Sequence, residues 1–198
     1  MLPIRDVTPE TMNCRLVLVS ASQRRRKILA DLGYTFDVVV ADVEEVFYAD
    51  DPKRTAKENA LRKNEWCRLE FPDRITIAAD TIIEFQGASI AKPTSLDDAH
   101  SMFRAFSGKI HNVLTAVALF APGRPLETRV VTSSVEFLDL DDRTIEDYFS
   151  KVDPLDKAGA YDIDQTAELI IRSYSGSYTN IMGLPAEAVL EWLEQIVR

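Results

Sequence analysis

The chain has 198 residues, of which 46% are hydrophobic and 28% are charged, a composition typical of a soluble globular protein. Because one domain commonly comprises about 100–200 residues, we expect residues 1–198 to form a single domain. The 32 acidic residues outnumber the 23 basic ones, and the resulting formal charge of −9 disfavours binding to a nucleic-acid polymer.

Cysteine content and hydropathy indicate a cytoplasmic protein. Cys14 and Cys67 are too few for a disulfide framework or a zinc site, and we interpret them as reduced thiols. No apolar run approaches the roughly 20 residues that span a bilayer, and no signal peptide is visible. We therefore expect no association with a membrane.

The first predicted elements are a strand, a helix and a second strand. Leu16–Val19 is a short continuous apolar run, as in a buried strand. Ser22 is suited to cap a helix that begins at the next residue, and Gly33 is suited to end it. Residues 36–40 are predicted as the second strand.

Helices and strands alternate through the rest of the chain. Residues 55–69 are a predicted helix, and residues 75–79 are a predicted buried strand that ends at Asp80. The later predicted elements are a hairpin around 86–87, a helix opened by Ser95, strands over 111–120, 127–138 and 168–174, a short helix over 144–150, and a helix after Pro185. This mixture predicts an α/β fold with a mixed sheet.

The turn after the first strand is the first candidate binding site. It combines the hydroxyl groups of Ser20 and Ser22, the guanidinium groups of Arg24 and Arg25, and the free N–H groups of a helix N-terminus. Such a corner favours a phosphate group. A capped surface helix with a solvated basic face would show the same residues, and the glycine patterns of P-loop and dinucleotide-binding proteins are absent.

Carboxylates form the second group of candidates. Ligands of open α/β sheets collect beyond the carboxyl ends of strands, where Asp80 is predicted to lie. There it could hold Mg²⁺ or accept a proton from water, or it could cap the amides of a turn. The acidic stretch of Asp42, Glu44 and Glu45 could supply further oxygen ligands or be a solvated loop.

Three lysines and one histidine complete the candidates. Lys63 lies on a predicted helix, Lys92 precedes Pro93, and Lys157 lies in an irregular loop, where a side chain can be aimed at a phosphate. Each could equally be a surface lysine. His111 has no paired serine or cysteine nucleophile in the pattern, so it does not indicate a hydrolase triad.

Taken in order along the chain, these segments resemble the Maf family of nucleoside triphosphate pyrophosphatases. The matching strings are Ser20-Ala21-Ser22-Gln23-Arg24-Arg25, Asp42-Val43-Glu44-Glu45, Ala60 with Lys63, Ala79-Asp80-Thr81, Ala91-Lys92-Pro93, Ser107-Gly108 with His111, Val113 and Thr115, residues 153–161, and Gly176, Asn180, Gly183, Leu184 and Pro185. The resemblance implies an elongated, twisted mixed sheet flanked by helices, with two lobes around a central cleft. It also implies hydrolysis of the α–β phosphate bond, a requirement for Mg²⁺ or Mn²⁺, and a homodimer.

The resemblance assigns a role to each candidate residue. Asp80 would be the proton acceptor, with Lys63 and Lys92 as further catalytic residues. Glu45 and Asp80 would hold the metal. The residues that would bind the substrate are Ser20, Arg24, Arg25, Thr81, Lys157, Asp164 and Gln165.

The implied substrates are dTTP and UTP or modified pyrimidine nucleotides. In the family, Arg24, Thr81 and a Gln within a Gly-Ile-Gln-Gly string accompany this preference, and here that string is Asp162-Ile163-Asp164-Gln165. Because an ionised Asp only accepts hydrogen bonds, recognition of the base could differ. The alternatives are the same hydrolysis of another nucleotide, such as 7-methyl-GTP, and a nucleotide-binding regulator of cell division or septum formation.

Overall fold

The computed structural model describes residues 15–197, so Cys14 lies outside the described residues. Seven strands form one sheet in the order β2-β1-β3-β5-β6-β7, and β4 pairs with β3. The strands are β1 Leu16–Val19, β2 Asp37–Val39, β3 Ile75–Phe85, β4 Ala88–Ile90, β5 Ile110–Phe120, β6 Glu127–Phe137 and β7 Ile171–Ser175. β1 is parallel to β2 and β3, and the other pairs are antiparallel. The predicted α/β fold with a mixed sheet is confirmed.

The described helices agree in number and order with the sequence pattern, with one addition. They are α1 Gln23–Asp31, α2 Pro52–Glu70, α3 Leu96–Phe106, α4 Asp142–Phe149, the unpredicted short α5 Tyr178–Ile181, and α6 Ala186–Val197. Two 3₁₀ turns, Ala158–Ala160 and Ala167–Leu169, precede β7. Within residues 15–197, no helix is both long and apolar enough to cross a membrane.

Helix boundaries follow local capping. The Ser22 hydroxyl accepts a hydrogen bond from the backbone N–H of Arg25, and Gly33 beyond the helix has a φ of +84°, as predicted for the two ends of α1. α2 begins three residues before the predicted start because Asp51 caps it and Pro52 suits its first turn. The predicted strand over 168–174 is wrong at its start, where residues 167–169 form a 3₁₀ turn instead.

The two faces of the sheet carry separate cores. α2 covers one face, against small residues such as Ala78, Ala116 and Ala118. Asn64 joins helix and sheet there, since its buried amide donates to the carbonyl oxygens of Ala118 (2.7 Å) and Thr76 (3.1 Å). The other face carries the larger core, in which α1, α3, α4 and α6 contribute buried side chains.

The structure corrects the prediction that Asp80 ends its strand. β3 continues to Phe85 and pairs with β5 along nearly its whole length. On the opposite edge, β3 pairs with β1 up to Ala78 and with β4 from Ile83 onward. Among the described residues, no strand pairs with 79–82 on that edge. We call this interruption the β3 gap, and it lies where β1 ends.

His111 belongs to the larger core and not to the β3 gap. Its buried ring stacks on Phe106 with 4.7 Å between centroids, and its Nε2 lies 2.9 Å from the Tyr161 hydroxyl. Within residues 15–197, its buried Nδ1 has no hydrogen-bond partner. Burial lowers the pKa of His111 to about 4 because it disfavours the charged ring. These contacts make His111 a residue of the aromatic core.

Acid should therefore destabilise the fold through His111. The unfolded chain binds a proton on this ring below about pH 6.5, whereas the folded chain resists it until about pH 4. The stability that the neutral ring provides is complete above pH 6.5 and falls by on the order of 3 kcal/mol as the pH drops to 4. Urea unfolding at several pH values should show a shallower loss in His111→Phe. His100→Gln, a change on the partly exposed face of α3, should follow the wild-type curve; equal slopes for wild type and His111→Phe would contradict the assignment.

Candidate active site

The β3 gap exposes two adjacent polar residues on opposite faces of the sheet. Asp80 follows the parity of Ala78 and lies on the α2 side, whereas Thr81 lies on the side of the larger core. Both follow the point at which the β1 ladder stops, and Ser20 begins the turn after β1. Two sets of side chains thus approach the same gap from two faces.

On the α2 side, Lys63 bridges two carboxylates. Its Nζ lies 2.7 Å from Asp80 Oδ1 and 2.6 Å from Glu45 Oε1. Asp80 is 12% exposed and Glu45 is 58% exposed, so the bridge runs from the sheet outward to solvent. The second Asp80 oxygen accepts a longer hydrogen bond from Asn59 Nδ2 at 3.3 Å.

Asn59 also fixes the loop that carries Glu45. Its amide accepts from the backbone N–H of Val46 at 2.8 Å and donates to the carbonyl of Val46 at 3.0 Å. The side chain is buried on α2, one turn before Lys63. Asn59 therefore sets the distance between the loop and the sheet. No role for this residue was predicted from the sequence.

Glu45 is held ionised by the cations around it. Partial burial opposes ionisation, but the hydrogen bond and charge of Lys63, with the charges of Lys92 and Arg25, outweigh it and lower the pKa of Glu45. The exposed Lys92 also helps to lower the pKa of Asp156. Lys92 thus acts electrostatically on both the α2 side and the loop that carries Lys157.

On the other face, Arg25 spans the gap with three hydrogen bonds to neutral oxygens. Its Nε donates to the carbonyl of Gly183 (2.7 Å), one terminal nitrogen donates to Thr81 Oγ1 (3.0 Å), and the other donates to Ser20 Oγ (3.4 Å). None of these partners carries a charge. Burial lowers the pKa of Arg25, an effect that the negative charges of Asp80 and Glu45 partly oppose.

Arg25 therefore presents positive charge beside a helix N-terminus. Guanidinium groups stay protonated at neutral pH, and the first turn of α1 adds free N–H groups that favour an anion. A partly buried cation such as Arg25, whose partners among the described residues are all neutral, carries a desolvation cost that an approaching anion would offset. This side of the gap is suited to a phosphate group.

Arg24 is held differently from its neighbour. Its terminal nitrogen lies 2.8 Å from Asp162 Oδ2, and the Asp162 side chain is only 3% exposed. Asp162 also accepts from the backbone N–H of Asp164 at 3.0 Å and from Gln165 Nε2 at 3.3 Å. A buried carboxylate with these three donors is well compensated. Within residues 162–165, Asp162 is the buried acidic residue, whereas Asp164 and Gln165 are exposed, and Asp164 accepts from the Tyr178 hydroxyl at 3.3 Å and lies 3.6 Å from Lys27 Nζ.

Lys157 lies in a turn of unusual backbone conformation. Its side chain is 8% exposed, and the ammonium donates to the carbonyl of Asp153 at 2.8 Å and pairs with Asp156. Gly159 and Ala160 both have positive φ, at 68° and 67°. A Cβ on Gly159 would lie 2.3 Å from the Ile83 side chain, so glycine allows this turn to pack against β3 just beyond the gap.

The structure brings most of the candidates of the sequence analysis to one place. Direct contacts join Glu45, Lys63 and Asp80, and others join Ser20, Arg25 and Thr81. Electrostatic effects connect Arg24 with Arg25 and Lys92 with Glu45, and Arg24 and Lys92 also act on Asp156, the residue that pairs with Lys157. Asp164 and Gln165 lie farther along the Arg24 side, next to Asp162. Asp42 and Glu44 are exposed and take no part in the Lys63 bridge.

Four contributing residues were not predicted to have a role: Asn59, Thr115, Asp162 and Gly183. Asn59 precedes Lys63 by four residues, and this helical spacing was a usable signal. Thr115 and Gly183 lie in strings that match the family, but their contacts join segments far apart in sequence, so no local spacing indicates their partners. Asp162 was noticed only as a departure from the family string.

The described residues contain no group of three or more His, Cys, Asp and Glu side chains that could hold a metal ion. Glu45 and Asp80 are nevertheless two carboxylates close enough to share one cation, because both contact Lys63 Nζ. Mg²⁺ is commonly bound by one or two carboxylates together with substrate phosphates. The donor set thus fits a hard cation that arrives with a phosphorylated ligand.

The chain is similar to known proteins in both sequence and fold. The model of the family described as Maf-like protein matches residues 15–196. A protein of Akkermansia muciniphila named dTTP/UTP pyrophosphatase is 37% identical over 179 residues, which cover 90% of this chain and 94% of that protein. One of Chromobacterium violaceum with the same name is 39% identical over 183 residues, which cover 88% and 91% of the two chains.

The fold is also similar to that of the Ham1 protein of Staphylococcus aureus. The two structures have a TM-score of 0.52 at 16% sequence identity, over 91% of this chain and 98% of the other. At this identity the similarity concerns the fold alone. The family match covers the β3 gap and both sets of side chains around it. The chain belongs to the Maf family.

Proposed function

We propose that the protein hydrolyses dTTP and UTP at the α–β phosphate bond, releasing a nucleoside monophosphate and pyrophosphate. The observation that carries the proposal is the β3 gap, which has a lysine-bridged carboxylate pair on one face and a carboxylate-free arginine on the other. This arrangement suits a triphosphate that is bound by cations next to a proton acceptor. The names of the relatives, dTTP/UTP pyrophosphatase, supply the reaction and the substrates.

In the proposed mechanism, Arg25 and the N-terminus of α1 bind phosphate oxygens, and Lys92 and Lys157 contribute further positive charge. Lys63 orients Asp80 through their 2.7 Å contact and keeps that carboxylate directed at the gap. Asp80 accepts the proton of the water that attacks phosphorus. The cations stabilise the negative charge that develops on the leaving pyrophosphate. No covalent intermediate is required.

Glu45 and Asp80 would hold Mg²⁺ or Mn²⁺ together with the substrate. When bound, the metal neutralises phosphate charge and lowers the pKa of coordinated water. Glu45 is suited to this role because it is ionised and more than half exposed, so that it can exchange Lys63 for a cation with little cost. Lys63 then remains available to Asp80.

Choice of the base is proposed to involve the Arg24 side of the site. Arg24, Asp164 and Gln165 surround the buried Asp162, and the resemblance implies that this segment contacts the base. The carboxylate of Asp162 neutralises Arg24, which therefore contributes less to binding of the triphosphate than Arg25. Other nucleotides, including 7-methyl-GTP, are the competing substrates because residues 162–165 differ from the family string.

A regulator of cell division that binds nucleotides without hydrolysing them would use the same phosphate-binding residues. The ordered Lys63–Asp80 contact favours the enzyme, because binding alone does not require a proton acceptor to be held at the gap. We also propose that residues 1–198 form one catalytic domain, since one continuous sheet runs from β1 to β7.

The oligomeric state, the location in the cell and the absence of a nucleic-acid partner are also proposals. The resemblance implies a homodimer, the two cysteines and the lack of a long apolar run favour a cytoplasmic location, and the formal charge of −9 supports the absence of a nucleic-acid partner. Light scattering with size-exclusion chromatography measures the dimer directly.

Asp80→Asn should lower kcat for UTP about a hundredfold or more, because the amide cannot accept the proton. Affinity for the nucleotide should change much less, since Arg25 and the lysines remain. The measurement is pyrophosphate release alongside calorimetric binding of UTP. Asp97→Asn, an exposed carboxylate in the first turn of α3, is the control and should behave as wild type. Wild type that binds UTP and releases no pyrophosphate would support the regulator instead.

Removal of divalent metal with EDTA should abolish pyrophosphate release, and Mg²⁺ or Mn²⁺ should restore it. Glu45→Gln should raise the metal concentration for half-maximal activity about tenfold or more, because a neutral amide is a weaker ligand. Glu44→Gln removes the neighbouring exposed carboxylate and should leave this concentration unchanged. Full activity in EDTA, or equal metal requirements in the two variants, would contradict the assigned metal site.

A panel of nucleotides should rank dTTP and UTP at least about tenfold above CTP, ATP, GTP and 7-methyl-GTP in kcat/KM, because a site that hydrogen-bonds one base leaves polar groups unpaired with another. The Asp80→Asn protein assayed in parallel measures background from contaminating phosphatases. A purine triphosphate at the top of the ranking would show that the base assignment is wrong.

A further inference from the structure

The hydroxyl of Thr81 lies in a hydrogen-bond chain whose direction can be determined. Thr115 Oγ1 donates to the carbonyl of Asn180 at 3.0 Å, which uses the only proton of that hydroxyl. The 2.9 Å contact between Thr81 and Thr115 must then have Thr81 as its donor. Arg25 donates to Thr81 at 3.0 Å. The chain therefore runs from Arg25 through Thr81 and Thr115 to Asn180.

This direction leaves Thr81 without a proton for a ligand. A hydroxyl has one proton, and that of Thr81 is directed into the protein. Thr115 is fully buried between β3 and β6, so it cannot touch a ligand itself. Both hydroxyl groups thus serve to hold the terminal nitrogen of Arg25.

The far end of the chain is rigidly anchored. Asn180 is fully buried, and its amide donates to the carbonyl of Val113 at 3.0 Å and to Ser133 Oγ at 2.9 Å, on β5 and β6. Three residues later, the carbonyl of Gly183 accepts from Arg25 Nε. Residues 180–183, which follow from α5 into the next turn, therefore hold Arg25 at two points: the carbonyl of Gly183 binds it directly, and the carbonyl of Asn180 binds it through the two threonines.

Gly183 allows the turn to approach the guanidinium. Its φ is +107°, and a Cβ at this position would lie 3.3 Å from Thr81 Oγ1 and 3.4 Å from Arg25 Nε. A side chain here would crowd both partners and strain the backbone. The glycine is thus part of the same arrangement.

We propose that Thr115 is a positioning residue which, through Thr81, fixes Arg25 for the triphosphate, so that loss of the Thr115 hydroxyl weakens the binding of phosphate. The inference rests on the proposed function of Arg25 in phosphate binding. Because a hydroxyl can accept two hydrogen bonds and Arg25 donates one, Thr81 can also accept one from a ligand, and the connection of Thr81 with the base that the resemblance implies is separate from this inference.

The test compares Thr115→Val and Thr81→Val, which remove each hydroxyl at nearly constant shape, with the serine variants, which retain it. Both valine variants should lower kcat/KM for UTP about tenfold, the order expected for one hydrogen bond to a charged group, and Thr115→Val should lower it by the same factor for dTTP and CTP. Affinity for inorganic tripolyphosphate, measured by calorimetry, should fall by a similar factor. The serine variants should stay within about twofold of wild type.

Thr76→Val is the matched control. Thr76 is fully buried on the same strand, and its hydroxyl donates to Asn64 at 2.9 Å, away from the gap. Its loss should cost comparable stability, measured by thermal unfolding, and leave tripolyphosphate affinity unchanged. If Thr115→Val does not fold, Thr81→Val and its serine counterpart carry the test, because Thr81 is only partly buried.

Different outcomes separate this inference from the proposed function. Wild type that releases no pyrophosphate from any nucleotide overturns the proposed function, while tripolyphosphate binding still tests the hydrogen-bond chain. The inference is overturned if folded Thr115→Val changes the preference between UTP and CTP more than about threefold, or if Thr81→Val binds tripolyphosphate like wild type. It is also overturned if folded Thr115→Val binds tripolyphosphate like wild type. A double valine variant no weaker than the weaker single variant supports one shared path.

Discussion

The site depends on one constraint of the sheet: β3 is longer than its parallel neighbour β1. Because β1 stops at Val19 and β4 begins to pair only at Ile83, no strand within residues 15–197 pairs with 79–82 on one edge. Backbone groups and side chains at such an interruption must find other partners. Asp80 accepts hydrogen bonds from Lys63 and Asn59 of α2, and Thr81 accepts one from Arg25 of α1. Side chains of α1 and α2 therefore meet at the β3 gap.

The two faces of the gap differ in how their charges are balanced. On the α2 side, Lys63 is shared by two carboxylates, so this side carries excess negative charge and suits a cation. On the α1 side, Arg25 has only neutral partners and suits an anion. A metal-bound triphosphate matches both faces at once, since it brings a cation to the carboxylates and oxygens to the guanidinium. Neither face would be explained as readily by a purely structural role.

Local patterns were sufficient for much of the fold. The apolar run of β1 and the capping residues of α1 were predicted correctly because they act over a few residues. The predicted strand over 75–79 is too short, since β3 continues to Phe85. A polar residue after an apolar run indicates the end of a strand, and the sequence does not show that Lys63 of α2 pairs with Asp80 inside the strand. The roles predicted for the site residues come chiefly from the resemblance to the Maf family. Asp162, Thr115 and Gly183 were missed as contributors, since their contacts join segments about 60 to 160 residues apart, a separation that no local spacing reveals.

The central claim is that a triphosphate lies across the β3 gap and is cleaved between its α and β phosphates. Phosphorus NMR of UTP incubated with the protein and Mg²⁺ tests it most directly, because it identifies every product at once. We expect the UTP resonances to be replaced by those of UMP and pyrophosphate, with no UDP at any time. Appearance of UDP and inorganic phosphate would mean that the terminal bond is cleaved and would contradict the account.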